Sequence, residues 1–318
     1  MAKPFDILVV GELNPDLVLT GDVTPAAGQV EKIIDDASLV LGSSSGIFAC
    51  GAAHLGLKVT FAGKTGADGF GDFLWAELRQ RGIDTRGAVI DPVIRTGISV
   101  ILKQAQSHGP TNQVHDRTIL TYLGAISELR LDEIDPALFT QARHLHIGAY
   151  FLLTRLQPDV PRLLQMAKDA GMTVSLDTNY DPAEKWTTGM DQVLELVDVF
   201  LPNETEACKI SGEPLLEDAL ANLSRRVKVV AAKLGEQGAE ARRGKEVVRV
   251  PVYPSRVVDT VGAGDSFDAG FLYGWLAGWD LESCLRLGSA CGSLSTRRAG
   301  GTAAQPTLPE AMDLINQK

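Results

Sequence analysis

Between residues 259 and 271 the chain reads DTVGAGDSFDAGF, with Asp259 and Asp265 on either side of Gly262, Ala263 and Gly264. From Asp265 onward Phe267, Phe271 and Trp275 recur at four-residue spacing, the apolar stripe of a helix that opens near Gly262. The first amides of a helix lack internal partners and sit at the positive end of its dipole, so a phosphate can approach where side chains are small. Glycine costs a helix about 1 kcal/mol relative to alanine, a cost that makes sense where close approach is required. Asp265, in the first turn, is placed to accept a proton from a hydroxyl attacking a phosphoryl group held by amides 262–265. A free aspartate has a pKa of about 3.9 and is expected to be ionised at neutral pH. From these residues alone, close packing of a helix on a sheet, with the two acids acting as caps, explains the pattern equally well.

The elements that would carry this helix follow a βα rhythm. FDILVVG, KVTFAGK, ARHLHIGAY, MTVSLDT, VDVFLP and KVVAAKL read as strands. Helical patterns fall near 45–55, 70–81 and 158–170, the last with proline in its first turn. Such alternation predicts a mostly parallel sheet covered by helices on both faces. Residues 12–40 and 93–123 break the rhythm and alternate as antiparallel strands with one face exposed, which predicts a small attached sheet. The stretch QSHGPTNQVHD at 106–116 reads as a polar loop, and Thr307 with Glu310 has capping-box spacing.

Composition narrows the function. The chain has 318 residues, 45% hydrophobic and 22% charged, enough for one large or two smaller globular units. Its 30 Lys+Arg against 40 Asp+Glu give a formal charge of −10 without a basic stripe, so nucleic acid is not an expected partner. Cys50, Cys208, Cys284 and Cys291 have neither zinc spacing nor a disulfide framework and read as reduced thiols of a cytoplasmic protein. No run reads as a signal peptide or membrane span, and the sequons at Asn203 and Asn222 read as chance matches. His144 and His146 share a strand face but lack a third ligand nearby, so no metal site is expected there.

Asp259 to Asp265 resembles the DTxGAGD signature of the ribokinase-like (PfkB) carbohydrate and nucleoside kinases, and the motifs from residue 7 to about 305 follow that family's order. The resemblance implies a ribokinase-like α/β fold spanning 1–318, with a β lid formed discontinuously by 12–40 and 93–123. It implies ATP and Mg2+, with Asp265 as base and Gly262, Ala263 and Gly264 as the anion hole. Within GELNPDLVL, Asn14 and Asp16 match the pair that binds substrate hydroxyls. Asn203 and Glu206 match the NxxE element that helps place magnesium and nucleotide phosphates through water, although helix capping also favours this spacing. Lys233, Gly235, Gly238 and Gly264 match positions beside the nucleotide, and the helix containing Gly288, Ala290 and Gly292 matches the one near adenine.

The glycine-rich segment departs from the pattern. Gly42-Ser43-Ser44-Ser45-Gly46-Ile47 places Ser43 at the second glycine and Ile47 at the asparagine that contacts the sugar, so an unmodified ribose would lose roughly 1 to 3 kcal/mol. AGKT is not a phosphate loop, because Lys58 stands where that motif needs glycine. In SLDTNYDP the Asp-x-Asn pattern resembles ketodeoxysugar kinases, but Asp181 replaces the expected arginine. Positions after Arg298 match the monovalent-cation loop too loosely to support such a site. These features imply phosphorylation of a small sugar or sugar-like acceptor. A nucleoside kinase, favoured by Ile47 and by Tyr150 if that ring faces the pocket, and a sugar-binding sensor without turnover remain the alternatives. Lid-mediated dimers occur in the family, so a homodimer is an option for this chain.

Overall fold

The computed structural model describes residues 3–104 and 117–317, and the predicted polar loop at 106–116 lies outside the described residues. The strands are β1 (Phe5–Val10), β2 (Pro15–Gly21), β3 (Asp36–Leu41), β4 (Val59–Gly66), β5 (Asp84–Asp91), β6 (Ile98–Gln104), β7 (Arg117–Tyr122), β8 (Ala142–Ile147), β9 (Thr173–Leu176), β10 (Val199–Phe200), β11 (Val229–Lys233), β12 (Ala239–Arg243) and β13 (Glu246–Val250). The helices are α1 (Ser44–His54), α2 (Gly69–Gln80), α3 (Ala137–Gln141), α4 (Val160–Asp169), α5 (Met190–Leu194), α6 (Glu204–Ser211), α7 (Leu216–Leu223), α8 (Ala263–Leu276), α9 (Leu281–Ser295) and α10 (Leu308–Asn316).

Among the described residues a nine-stranded sheet runs β13-β12-β11-β10-β9-β8-β1-β4-β5. It is parallel from β11 through β5 and closes with antiparallel β12 and β13. Both faces are covered, so successive residues of a strand enter different cores: Leu8 and Val10 pack with α4 and α7, while Ile7 and Val9 pack with α1, α8 and α9. This is the mostly parallel sheet covered by helices on both faces that the βα rhythm predicts.

The second sheet has the order β3-β2-β6-β7, within the two irregular spans. It is not wholly antiparallel as the alternation suggested. β2 and β6 pair in parallel, Asp16 opposite Ser99 and Thr20 opposite Lys103. The chain between these strands runs through β3, α1, β4, α2 and β5 rather than a hairpin, and such a crossover can bring them back in the same direction.

Beneath the sheet, His144 and His146 do share a face. The Ser175 hydroxyl lies 2.7 Å from His144 Nε2 and 2.8 Å from His146 Nδ1, Thr173 serves His144 Nδ1 at 2.7 Å, and Phe48 stacks on the His146 ring. Burial pushes both imidazoles down to about 3, so they are neutral structural groups.

Helix α8 lies within this buried frame, Phe267 and Phe271 stacked on one side and Gly270 in close contact with Leu287 and Cys291 of α9. The small residues of α9 pack likewise: Gly288 meets Phe267, and Gly292 meets the Ala263 carbonyl. Gly262 caps α8 at φ +74°, a left-handed conformation, and a Cβ there would lie 2.7 Å from Gly301 Cα and 2.9 Å from Ile47 Cγ2. Gly262→Ala therefore combines left-handed strain of about 1–2 kcal/mol with a backbone clash. Urea denaturation should show at least that loss; a change below about 0.5 kcal/mol would mean that the turn is not under this constraint.

Candidate active site

The parallel strands release their C-terminal ends toward one crevice, on either side of β1, where the chain direction of the connections reverses. Glu12 follows β1, Asp177 follows β9, Asn203 follows β10, Lys233 ends β11, and the N-terminus of α8 brings Asp265. Carboxylate oxygens of Asp177, Asp265 and Asp268 come within 4.8 Å of one another. The mouth of α8 is open, with Gly262, Ala263, Gly264 and Asp265 all partly exposed. Ala263 differs from the expectation: its N–H donates to the Thr260 carbonyl at 3.3 Å, closing the turn. The amides of Gly264 and Asp265 have no such protein acceptor among the described residues and are the donors left for an anion.

Electrostatics here differ from those of free side chains. Burial, then the nearby Asp177 charge, raises Asp265 to about 8, against the opposing hydrogen bond from Ser44. The ionised aspartate expected from the sequence is therefore mostly protonated at neutral pH in the ligand-free protein. Burial likewise raises Glu12 and Glu206 to about 7, in Glu206 with help from Asp177. Asp268 is raised well above its ordinary value by burial, although Lys233 pulls the other way. Burial alone would lower Lys233, but the charges of Asp177 and Asp268 outweigh it and its ammonium is held firmly protonated.

Three consecutive serines set the geometry around the base. Ser43 keeps the glycine-like conformation at φ +71°, its hydroxyl donating to the Glu12 carbonyl at 2.9 Å and accepting from Gly46 N at 2.8 Å. Ser44 donates to Asp265 Oδ1, and Ser45 donates to Glu12 Oε2. On the small sheet, Asn14 Nδ2 lies 3.3 Å from Asp16 Oδ1 and from Ser99 Oγ. Gly42 has no room for a Cβ because Asp16 Oδ1 would lie 2.2 Å from it. The run 42–44 thus links the Asn14–Asp16 pair to Asp265. Lys103 of β6 pairs with Asp259 Oδ2 at 2.7 Å, and Asp259 also accepts from Val261 N and Gly300 N, tying the small sheet to the loop before α8. Burial alone would raise Asp259, but these donors hold it below its ordinary value.

Several residues singled out in the sequence have other work. Ile47 is 3% exposed and packs on Gly262 and Gly301, so it supports the helix mouth instead of presenting a surface to an acceptor. Tyr150 is fully buried in the core and donates to the Thr188 carbonyl at 2.9 Å, which leaves no ring face for stacking. Gly238 is required by packing, since a Cβ would sit 2.1 Å from the Val250 carbonyl; Gly235 needs only its φ of +57°. Asp181 accepts amides of Ala183, Lys185 and Trp186 at 2.7 to 2.9 Å and so knits the loop after β9.

Asn203 and Glu206 form a complete capping box, each side chain accepting the other's backbone amide, with a further 2.6 Å bond from Asn203 Nδ2 to Glu206 Oε1. Both Glu206 oxygens are thus engaged, which fits contact with a metal through water. The oxygen donors of Glu206 and Asn203, reached through water, suit magnesium, a hard cation that keeps several waters. Sequence reasoning missed Glu12, Ser45, Lys103, Asp177 and Asp268 as members of this cluster. Asp268 had a signal, since three residues after Asp265 it must share that helix face.

Comparison with known proteins agrees with this architecture. Residues 6–308 match the family described as pfkB family carbohydrate kinase. The chain is 30% identical to an uncharacterized sugar kinase of Archaeoglobus fulgidus over 263 residues, covering 83% of this chain and 100% of the relative. It is also 30% identical to the 5-dehydro-2-deoxygluconokinase of Shouchella clausii over 336 residues, covering 99% and 97%. The putative ribokinase II of E. coli superposes with a TM-score of 0.85 at 24% identity, over 99% of this chain and 100% of that one. Its complex with ATP and Mg2+ superposes at 0.84. The match across nearly the whole chain, on a fold whose strand ends gather these acids at an open helix mouth, shows that the protein belongs to the PfkB family of sugar kinases and is a phosphotransferase with an alcohol group as acceptor.

Proposed function

We propose that the chain transfers the γ-phosphoryl group of ATP to a hydroxyl of a small sugar or sugar-like molecule. The observation that carries this reading is Asp265, in the first turn of an open helix mouth and fixed through Ser44 to the run 42–44, whose Gly42 packs on Asp16 of the Asn14–Asp16 pair. The acceptor hydroxyl forms the new O–P bond and gives its proton to Asp265, the bond to ADP breaks, and the amides of Gly264 and Asp265 stabilise the charge on the moving group. Ser44 occupies Oδ1 and leaves Oδ2 for that proton. Magnesium, held by Glu206 and Asn203 through water, would neutralise phosphate charge. The small sheet acts as a lid that excludes water, with Lys103–Asp259 holding it over the site. Four unpaired cysteines fit a reducing cytoplasmic setting. A homodimer through the outer lid face, where Leu39 and Leu120 are 38% and 58% exposed, belongs to the same reading, and light scattering should give twice the chain mass.

The relatives named 5-dehydro-2-deoxygluconokinase make that sugar acid one acceptor to test, although Asp181 supplies no cation for its carboxylate. The nucleoside alternative loses its aromatic support with Tyr150 buried. In a panel of sugars, polyols, 5-dehydro-2-deoxygluconate and nucleosides, ADP should form with a hydroxyl-rich small sugar and not with nucleosides; turnover confined to nucleosides overturns the reading. Asp265→Asn should lower turnover about 10³-fold. Wild-type protein that releases no ADP with any acceptor would instead be a sensor.

The pH dependence has a definite sign. Because Asp265 must be deprotonated and is raised to about 8, kcat/KM should climb as pH rises toward 8 and fall below it. Ser44→Ala removes a donor to the carboxylate, so the acid limb should move up by about one unit, measured from pH–rate profiles. A limb near pH 4 in the wild type would show that the base is not this half-buried aspartate.

A further inference from the structure

Lys233 is more than a residue beside the nucleotide. Its backbone N–H donates to the Pro202 carbonyl at 2.9 Å, which fixes the end of β11 against the turn that starts α6. Its ammonium reaches Asp177 Oδ2 at 2.9 Å and both oxygens of Asp268 at 3.1 and 3.2 Å. The side chains of Lys233, Asp177 and Asp268 are 14%, 7% and 1% exposed, so water screens this cluster weakly. The stem runs beside the α8 mouth: a Cβ on Gly264 would lie 3.5 Å from Lys233 Cδ and 3.7 Å from Nζ. An ammonium has three N–H donors. Asp177 engages one and Asp268 one, shared between its two oxygens, which leaves the third without a carboxylate among the described residues.

We propose that Lys233 is a catalytic residue that places its remaining N–H on the phosphoryl group in transfer beside the Gly264 amide, and that Asp177 and Asp268 are positioning residues for it. The inference rests on the kinase reading above and deepens it. In the transfer, the acceptor oxygen bonds to phosphorus, the bond to ADP breaks and the acceptor proton goes to Asp265, while Lys233 keeps its protons throughout. A flexible lysine would lose side-chain freedom on meeting the phosphoryl group; here Asp177 on one strand end and Asp268 on α8 have already fixed it. A lysine that only joins β11 to β9 and α8 would add stability and make no distinction between ground state and transition state.

That difference sets the test. Isothermal titration calorimetry is run with magnesium and ADP, then with magnesium, ADP and aluminium fluoride as a mimic of the transferring group, each in the presence of the acceptor found in the panel. In the wild type, fluoride should tighten ADP binding by roughly 100-fold or more. Lys233→Met alone leaves two buried acids unpaired and risks misfolding, so it is paired with the double variant Lys233→Met/Asp268→Asn, which removes one charge of each sign. In both, ADP affinity should stay within about three-fold while the fluoride-dependent tightening is lost, and kcat should fall by roughly 100-fold with little change in KM. Asp268→Asn alone should lower kcat less, and Lys233→Arg should restore part of it. If the double variant folds and still tightens with fluoride, the proposal is overturned and the kinase reading stands. Wild-type protein that binds no ADP overturns both.

Discussion

One cation against many acids is the constraint on which the active end of this protein depends. Asp177, Asp265, Asp268, Glu206 and Glu12 all lie at or near the strand ends, and among the described residues Lys233 makes the ion pairs to two of them. Leaving water is costly for a charge unless it is paired, so the cluster spreads the burden: Lys233 stays charged and draws Asp177 down, while Asp265, Glu206 and Glu12, which make no ion pair with it, move up toward their protonated forms. A site in this state has a standing affinity for positive charge. In the proposed reaction, a divalent ion entering with the nucleotide would favour the carboxylate forms of these acids, Asp265 among them.

The fold makes that cluster by topology. β9, β10 and β11 are adjacent and parallel, so residues separated by 56 positions, Asp177 and Lys233, meet at their common end. α8, packed against α1 and α9, brings Asp265 and Asp268 in one turn, and its close contact with α9 through Gly270, Gly288 and Gly292 leaves little freedom to drift. Among the described residues, Lys103 to Asp259 ties the small sheet to the loop before α8. Because Asp259 also holds Val261 N, the position of the small sheet and the shape of the α8 turn are mechanically joined.

How much of this was legible in the sequence follows from which forces are local. The α8 mouth, the capping boxes at Asn203 and Thr307 and the βα rhythm depend on spacing within a few residues, and each formed where the spacing put it. Strand direction in the small sheet was not legible, because alternation records which face is wet and says nothing of polarity; β2 and β6 prove parallel. The ionisation of Asp265 was not legible either, since it is set by burial and by Asp177, a residue 88 positions away in the numbering whose proximity depends on the whole sheet. Ile47 and Tyr150 misled for a related reason: an apolar or aromatic residue near a motif looks the same whether it faces a ligand or the core behind it.

The serine run shows how a departure from the family pattern is absorbed. Ser43 takes the left-handed conformation that a glycine would adopt without strain, and its hydroxyl offsets part of that cost by bonding the Glu12 carbonyl and capping α1 at Gly46. Holding that conformation aims the next two side chains apart, Ser44 to Asp265 and Ser45 to Glu12. Two acids on different elements are thereby clamped by neighbouring residues of one helix turn. A glycine at 43 would relieve the strain but surrender both the cap and the bond to Glu12, so the serine is better understood as rigidity gained at the base than as a glycine lost from the pocket.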